Sequence, residues 1–291
     1  MGILYGDVRN LIERFRPESE GKRVVTFGRL SIYLHPPEIF RLKRLLSDDR
    51  DALSYLKSYQ WGEYSERFFK ALFKCSVVDS LDFSDYQGAT ILHDLQQPIP
   101  GELRGKYDLV LDGGTMEHVF NLPAALANAI RLVRVGGLVY INSPCNNLSG
   151  HGFYQFSPEL MYRVMSRDNG MAMLLTRIGV ACVPSVEKTF FHRVYDVVDP
   201  DSVQRRVGLQ TSRPVYMMVM ARKTEDAELF SRPVLQSDYR RKWTSGARKG
   251  LVRRVLDGLP FQLQSLVLGC LGYLEVNQHS LANTRFYHRV W

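Results

Sequence analysis

Carboxylates, imidazoles and amides gather in one part of the sequence: Asp112, Glu117, His118, Asn142, Asn146, Asn147, His151 and Tyr154 all fall between positions 112 and 154. An imidazole titrates near neutral pH and can take a proton from an oxygen nucleophile. A carboxylate can accept from two hydroxyls at once. His151 stands between Gly150 and Gly152, so its backbone is free to adopt conformations that a regular element forbids. The loop that carries it, 142–154, is rich in hydrogen-bonding side chains and poor in residues that build a core, which suits contact with a substrate through Asn142, Asn146, Asn147, Tyr154 and His151. The four cysteines (Cys75, Cys145, Cys182, Cys270) are far apart and form no CxxC pair. No metal or disulfide framework is expected, and a reducing cytoplasm is the natural setting.

These residues need elements that bring them to one edge. Leu109-Val110-Leu111, bounded by Asp108 and Asp112, reads as a strand buried on both faces of a parallel sheet. Asp112-Gly113-Gly114-Thr115 breaks it. Pro123 opens a helix with apolar residues at Ala124, Leu126, Ala127, Ile130, Leu132 and Val133. Gly136-Gly137 is expected to stop that helix, and Leu138–Ile141 to start the next strand. Strand, acidic glycine turn, helix and strand make a βαβ unit, and open α/β sheets bind ligands outside the carboxyl ends of their strands. Glu117 and Asp112 have a purely structural alternative, because the helix dipole alone favours a carboxylate at a helix N-terminus by about 0.3–1 kcal/mol.

The strand that ends in an acidic turn, the Glu117-His118-Val119 after it and the Val135-Gly136-Gly137 before the next strand resemble class I S-adenosylmethionine (SAM)-dependent methyltransferases. The continuation from Asn142 to Met171 is similar to that family after its fifth strand: a Pro-Asn segment, a His, the Phe156-Ser157-Pro158-Glu159-Leu160 helix start and a later Gly. More narrowly, Asp112-Gly113-Gly114-Thr115-Met116-Glu117-His118-Val119-Phe120-Asn121 resembles a bacterial subgroup of methyltransferase-domain proteins. The likeness spans roughly Val24 to Arg222. It implies a doubly wound, mostly parallel Rossmann-like sheet, with SAM as cofactor.

The same resemblance implies roles position by position. Val24–Phe27 is the first strand, and the loop after it, with Gly28 and Arg29, is where the family meets the amino-acid end of SAM; this chain has one glycine there. Arg29 either pairs with the methionyl carboxylate or is a solvated loop residue. Asp82 matches the acid that holds the ribose hydroxyls, with Asp79 and Asp85 as competitors. Asp94 matches the acceptor from the adenine amino group, and the Leu95 amide would reach a ring nitrogen. Asp112, Gly113 and Glu117 stand on the methyl-donor side. If the acceptor is a hydroxyl, His151 is the first candidate base and His118 the second.

Composition sets the remaining limits. With 45% hydrophobic and 23% charged residues over 291 positions, the chain describes an ordinary globular protein, with no uninterrupted apolar run long enough to span a bilayer. Between Arg222 and Arg254 ten basic residues face four acidic ones, which leaves six of the eight net positive charges in that segment. The rest is close to neutral, so no nucleic-acid groove is expected. We therefore divide the chain into an N-terminal edge segment (1–23), a methyltransferase-like domain (24–224) and a basic helical extension (225–291). The apolar stretch 259–271 beside the basic linker could lie on the inner, anionic face of a membrane, or form a helical hairpin or oligomer contact. The expected activity is methyl transfer to oxygen of a small molecule, sugar or glycolipid. The rival is a binding or scaffold protein that keeps the fold without catalysis, prompted by the single-glycine loop.

Overall fold

The computed structural model describes residues 2–182, 193–239, 258–275 and 279–291. The strands are β1 (Gly2–Leu4), β2 (Arg23–Phe27), β3 (Ser31–Tyr33), β4 (Val77–Asp82), β5 (Ile91–Leu92), β6 (Tyr107–Gly113), β7 (Val133–Asn146), β8 (Met171–Val180), β9 (Arg193–Val197), β10 (Val215–Lys223) and β11 (Tyr287–Arg289). The helices are α1 (Tyr5–Arg14), α2 (Pro36–Leu45), α3 (Arg50–Ser58), α4 (Ser65–Phe73), α5 (Leu122–Leu132), α6 (Pro158–Val164), α7 (Pro200–Val203) and α8 (Phe261–Glu275). Nine strands form one sheet in the order β11-β9-β8-β10-β7-β6-β2-β4-β5, while β1 and β3 pair separately. From β5 to β7 every pairing is parallel; β10, β8, β9 and β11 add antiparallel.

Numbered along the chain, the five parallel strands lie in the order 3-2-1-4-5. That is the doubly wound arrangement, with its switch point between the first and fourth strands. Those strands are β2 and β6, so the ends at Phe27 and Gly113 face the crevice where such sheets bind ligands. The α/β class and the mostly parallel sheet expected from the sequence are what the chain forms.

The pattern of β6 explains its place. Leu109 and Leu111 pack on one side with Val24, Tyr140, Met218 and Met220, beneath α1–α4. Val110 packs on the other with Val25, Ile141 and Val219, beneath α5 and α6. All three β6 side chains are essentially buried, each worth about 1.5–3 kcal/mol. The loop from β4 to β5 contains no helix, as the short spacing there predicts.

Two boundaries differ from expectation. Gly136-Gly137 do not stop α5. The helix ends at Leu132, and β7 begins at Val133 and runs through both glycines. A methyl at Gly137 would meet the Asp108 carbonyl oxygen at 2.8 Å, so glycine there is needed for close strand approach rather than for a cap. The segment 47–60, which reads as an insertion, folds as α3, capped by Asp49 accepting from the Ala52 amide at 3.0 Å.

The N-terminus is built into the fold beside the main sheet. β1 pairs with β3, α1 buries Val8 and Leu11, and Phe15 just past its end is buried with them. Asp7, buried in α1, accepts from the Leu4 amide at 2.7 Å, the Tyr140 hydroxyl at 2.7 Å and the Asn142 amide nitrogen at 2.9 Å. Burial pushes its carboxyl up to about 6.

At the other end, α8 exposes Phe261, Leu263, Leu266 and Leu268. Among the described residues no helix is long and apolar enough to cross a membrane. The segment 225–291 is not helical throughout, since β11 returns to extend the sheet beside β9. Most of the basic cluster, from Arg240 to Arg254, lies outside the described residues.

Candidate active site

The site grows out of the turn that follows β6. Asp112 ends the strand and points inward, 1% exposed. Its Oδ1 accepts from the Thr115 amide at 2.9 Å and the Met116 amide at 3.3 Å, and the Ser143 hydroxyl donates to Oδ2 at 3.4 Å. These bonds wind residues Met116–His118 into a single 3₁₀ turn. The Thr115 hydroxyl donates to the Phe27 carbonyl at 2.7 Å and ties the turn to the end of β2. Asp112, expected on the methyl-donor side, is thus a capping residue that lines neither cleft described below. A buried carboxylate satisfies amide donors more usefully than it meets a ligand.

Glu117 is fully buried on that turn, and no hydrogen-bond donor reaches either of its carboxylate oxygens. Burial first, and then the like charge of Asp112, push its carboxyl upward; burial likewise raises Asp112. The loop after β7 folds down onto the same turn. The Phe153 amide donates to the Glu117 carbonyl at 2.7 Å, and the Tyr154 amide shares it at 3.3 Å. The approach depends on Gly152, whose φ is +77°, and a methyl there would stand 2.8 Å from the Glu117 carbonyl oxygen. In consequence His151 Nε2 comes to 3.5 Å from Glu117 Oε1, and the His118 and His151 rings lie 5.3 Å apart. The Glu117, His118 and His151 ligand atoms all lie within 4.8 Å of one another. Spacing along the chain gave no sign of this cluster, because a hairpin of loop joins residues more than thirty apart. Burial and the nearby His151 hold the His118 imidazole below its ordinary range.

Two clefts meet at the turn. One is lined by Leu81, Asp82, Phe83, His93, Asp94, Leu95, Gln96, Thr115, His118 and Val119, at the carboxyl ends of β4 and β5. The other is lined by Gly2, Leu4, Tyr33, Gly113, Gly114, Glu117, Asn142, Ser143, Pro144, His151 and Tyr216. Asp82, Asp94 and Leu95 therefore share one cleft, whereas Gly113, Glu117, Asn142 and His151 share the other. Of the competitors for the Asp82 role, Asp79 is occupied by the Tyr107 hydroxyl at 2.8 Å, and Asp85 is exposed and lines neither cleft. A larger cleft of about 710 Å³, lined by Arg104, Arg131, Arg134 and Lys223, opens near Val135 at the start of β7. It lies at the wrong end of the strands for the ligand crevice of such a sheet.

Several expected site residues do other work. Gly28 turns the chain at φ +69° and donates its amide to the Leu81 carbonyl, and neither it nor Arg29 lines a cleft. The Arg29 guanidinium, partly exposed, is already engaged within the protein. It pairs with Glu66 at 2.6 Å, donates to the Gln87 carbonyl at 2.8 Å and lies 4.0 Å over the Tyr64 ring.

Asn146 donates to the Leu209 carbonyl, and Asn147, at φ +57°, donates to the Thr211 and Arg213 carbonyls. They pin the end of β7 and the loop after it to the irregular segment that precedes β10, and their amide nitrogens are taken up in doing so. The Tyr154 hydroxyl donates to the Phe120 carbonyl at 2.8 Å, and its ring stacks on Phe156. In each case a polar side chain at or after the end of β7 is taken up by backbone carbonyls that the fold brings near. Asn142 does line its cleft, with Oδ1 free of any partner. Sequence reasoning missed Gly2, Leu4 and Tyr33, because β1 and β3 are too short to show a period, and Tyr216, because the antiparallel pairing that sets β10 beside the end of β7 is not written in its apolar run.

No family model and no curated protein matches the chain. Solved structures do resemble it. A candidate methyltransferase from Bacillus halodurans C-125 is 11% identical, with a TM-score of 0.43 over 75% of this chain and 99% of its own. The 1,6-didemethyltoxoflavin-N1-methyltransferase of Burkholderia thailandensis, solved with S-adenosylhomocysteine, is 15% identical, with a TM-score of 0.35 over 76% and 84%. An S-adenosylmethionine-dependent methyltransferase from Mesorhizobium loti is 13% identical, with a TM-score of 0.37 over 71% and 93%. At these identities the resemblance is one of chain path. The strand order assigns the doubly wound fold without it.

Proposed function

We propose that the protein is a SAM-dependent methyltransferase that methylates an oxygen of a small-molecule or glycan acceptor. The observation that carries this reading is the pair of adjoining clefts at the switch-point edge, divided by the turn at residues 115–118. The donor set of the first cleft fits SAM. Asp82 and Asp94 stand half-buried at successive strand ends in one cleft, carboxylates that can accept from ribose hydroxyls and an adenine amino group, and exposed Phe83 offers a ring to stack on. An acceptor in the second cleft would meet Asn142, Glu117 and His151, which line it.

Bound SAM supplies an electrophilic methyl on a sulfonium, which leaves as a neutral thioether. Charge disperses in such a displacement, so the protein's task is alignment in a site that excludes water. The Met116–His118 turn holds the two clefts at a fixed separation, with β6 behind it. Asn142, steadied by Asp7, orients the acceptor, and the Glu117–His118–His151 cluster lies where its proton must leave. The committed Arg29 favours one other reading, a protein that keeps the fold and binds without transferring.

Calorimetric titration with SAM tests both. Wild type should bind. Asp82→Ala should weaken binding by about 1.5–3 kcal/mol, the worth of a hydrogen bond to a charged group, with little change in melting temperature. Unchanged affinity removes Asp82 from the site, and a wild type that does not bind SAM overturns the enzyme.

A further inference from the structure

We propose that Glu117, His118 and His151 hold a divalent transition-metal ion at the junction of the two clefts. Two imidazoles and one carboxylate form a ligand set that leaves positions open for a water or a substrate oxygen, as in catalytic His₂Glu zinc sites and two-histidine, one-carboxylate iron sites. The nitrogen donors favour Zn²⁺, Fe²⁺ or Co²⁺ over Mg²⁺ or Ca²⁺, which prefer oxygen ligands.

Three observations support the assignment. The three ligand atoms converge from two segments, and all lie within 4.8 Å of one another. Glu117 Oε1 and His151 Nε2 are 3.5 Å apart. A tetrahedral site with metal–ligand distances near 2.1 Å has edges of about 3.4 Å, so that pair is already spaced as two ligands of one ion. The third observation is independent of the cluster's geometry. Glu117 is 0% exposed, and neither of its oxygens has a hydrogen-bond partner. Leaving a buried carboxylate without donors is costly, and the fully buried Asp112 close by makes it costlier. A cation between Glu117 and the imidazoles would satisfy those oxygens.

The place of the site gives it a purpose. His118 lines the cleft with Asp82 and Asp94, whereas Glu117 and His151 line the cleft with Asn142. An ion between them can bind an acceptor hydroxyl on one side while a methyl donor approaches from the other. The bound hydroxyl loses its proton to solvent more readily. The resulting oxygen then forms the new bond to methyl as the sulfur–methyl bond breaks. This role rests on the methyltransferase reading, but the binding of the ion does not.

The test uses full-length protein stripped with a chelator. It is titrated with Zn²⁺ by calorimetry and with Co²⁺ by visible absorption, with Mg²⁺ as the contrast. We expect Zn²⁺ to bind at one site, Co²⁺ to give the absorption of a low-coordinate complex, and Mg²⁺ not to compete. Glu117→Gln and His151→Ala should each weaken binding by more than the roughly 10–100-fold typical of an outer-shell change. His288→Ala, on the exposed edge strand β11, should not weaken it. Circular dichroism confirms that each variant is folded, and Glu117→Gln keeps the shape of the side chain should His151→Ala fail.

Wild type that binds Zn²⁺ no more tightly than Glu117→Gln overturns the proposal, as does a Co²⁺ spectrum that His151→Ala leaves unaltered. SAM titration of the same stripped protein separates the two ideas. Metal binding without SAM binding keeps the site and removes the methyltransferase, and SAM binding without metal binding does the reverse.

Discussion

A single glycine decides whether the candidate site assembles. Gly152 lets the loop after β7 lie on the Glu117 carbonyl, and through that contact His151 reaches Glu117. Gly152→Ala adds a methyl 2.8 Å from that oxygen and 2.9 Å from the Glu117 Cγ, at a φ of +77°. The left-handed conformation alone costs a non-glycine residue about 1–2 kcal/mol, so the melting temperature should fall by a few degrees. The larger effect should be local. Affinity at the Asp82 cleft should hold while transfer falls, because the loop must lift away from the turn. A variant with wild-type stability and turnover would show that the loop approach is not needed.

This residue also shows what the sequence made legible. Gly150-His151-Gly152 marks a candidate contact loop on composition alone, and His151 does line a cleft. The partners of His151 were not legible, because they depend on how far a loop folds back. The same gap explains Asn146, Asn147 and Tyr154, whose polar atoms look available in the sequence but are taken by Leu209, Thr211, Arg213 and Phe120.

Among elements, the long apolar ones declared themselves and the short edge ones did not. β2, β6 and β10 could be placed from runs of Val, Leu and Met, because a strand covered on both faces must be apolar along its length. β1, β3, β9 and β11 have mixed burial and are defined by their neighbours. β11 carries a consequence for the C-terminal extension. Phe286 and Tyr287 are 2% and 3% exposed, the Val194 amide donates to the Trp291 carbonyl, and the Val290 amide donates to the Val194 carbonyl. Burying each aromatic is worth about 1.5–3 kcal/mol, so ending the chain at His279 should remove several kcal/mol and bare the edge of β9. The truncated protein should melt well below the full chain or aggregate. If it melts with the full chain, β11 is an ornament and the extension is separable after all.

At the scale of the whole molecule, carboxylates whose pKa the fold shifts set how stability follows pH. Glu13, Asp49 and Asp108 are held below their ordinary values by hydrogen bonds and arginine or lysine neighbours that outweigh burial. Their stabilisation is present above the unfolded carboxylate range and is lost as pH falls through their lowered values. Asp7 works in the opposite sense. Its carboxyl rises from 3.8 to about 6, with burial outweighing the Leu4, Tyr140 and Asn142 hydrogen bonds. A raised pKa means that the native state binds the proton more tightly than the unfolded chain does. The benefit is complete below about 4 and is lost as pH rises through about 6. The melting temperature should therefore peak between these ranges and decline toward neutrality, with Asp7 accounting for up to roughly 3 kcal/mol of the decline. Asp7→Asn, which stays neutral, should flatten the slope between pH 4 and 6 and melt relatively higher at pH 7 than at pH 4 when each is compared with wild type. Melts across that range settle it. If Asp7→Asn lowers stability by the same amount at every pH, the Asp7 proton plays no part, and its hydrogen bonds to Leu4, Tyr140 and Asn142 are all that the fold takes from it.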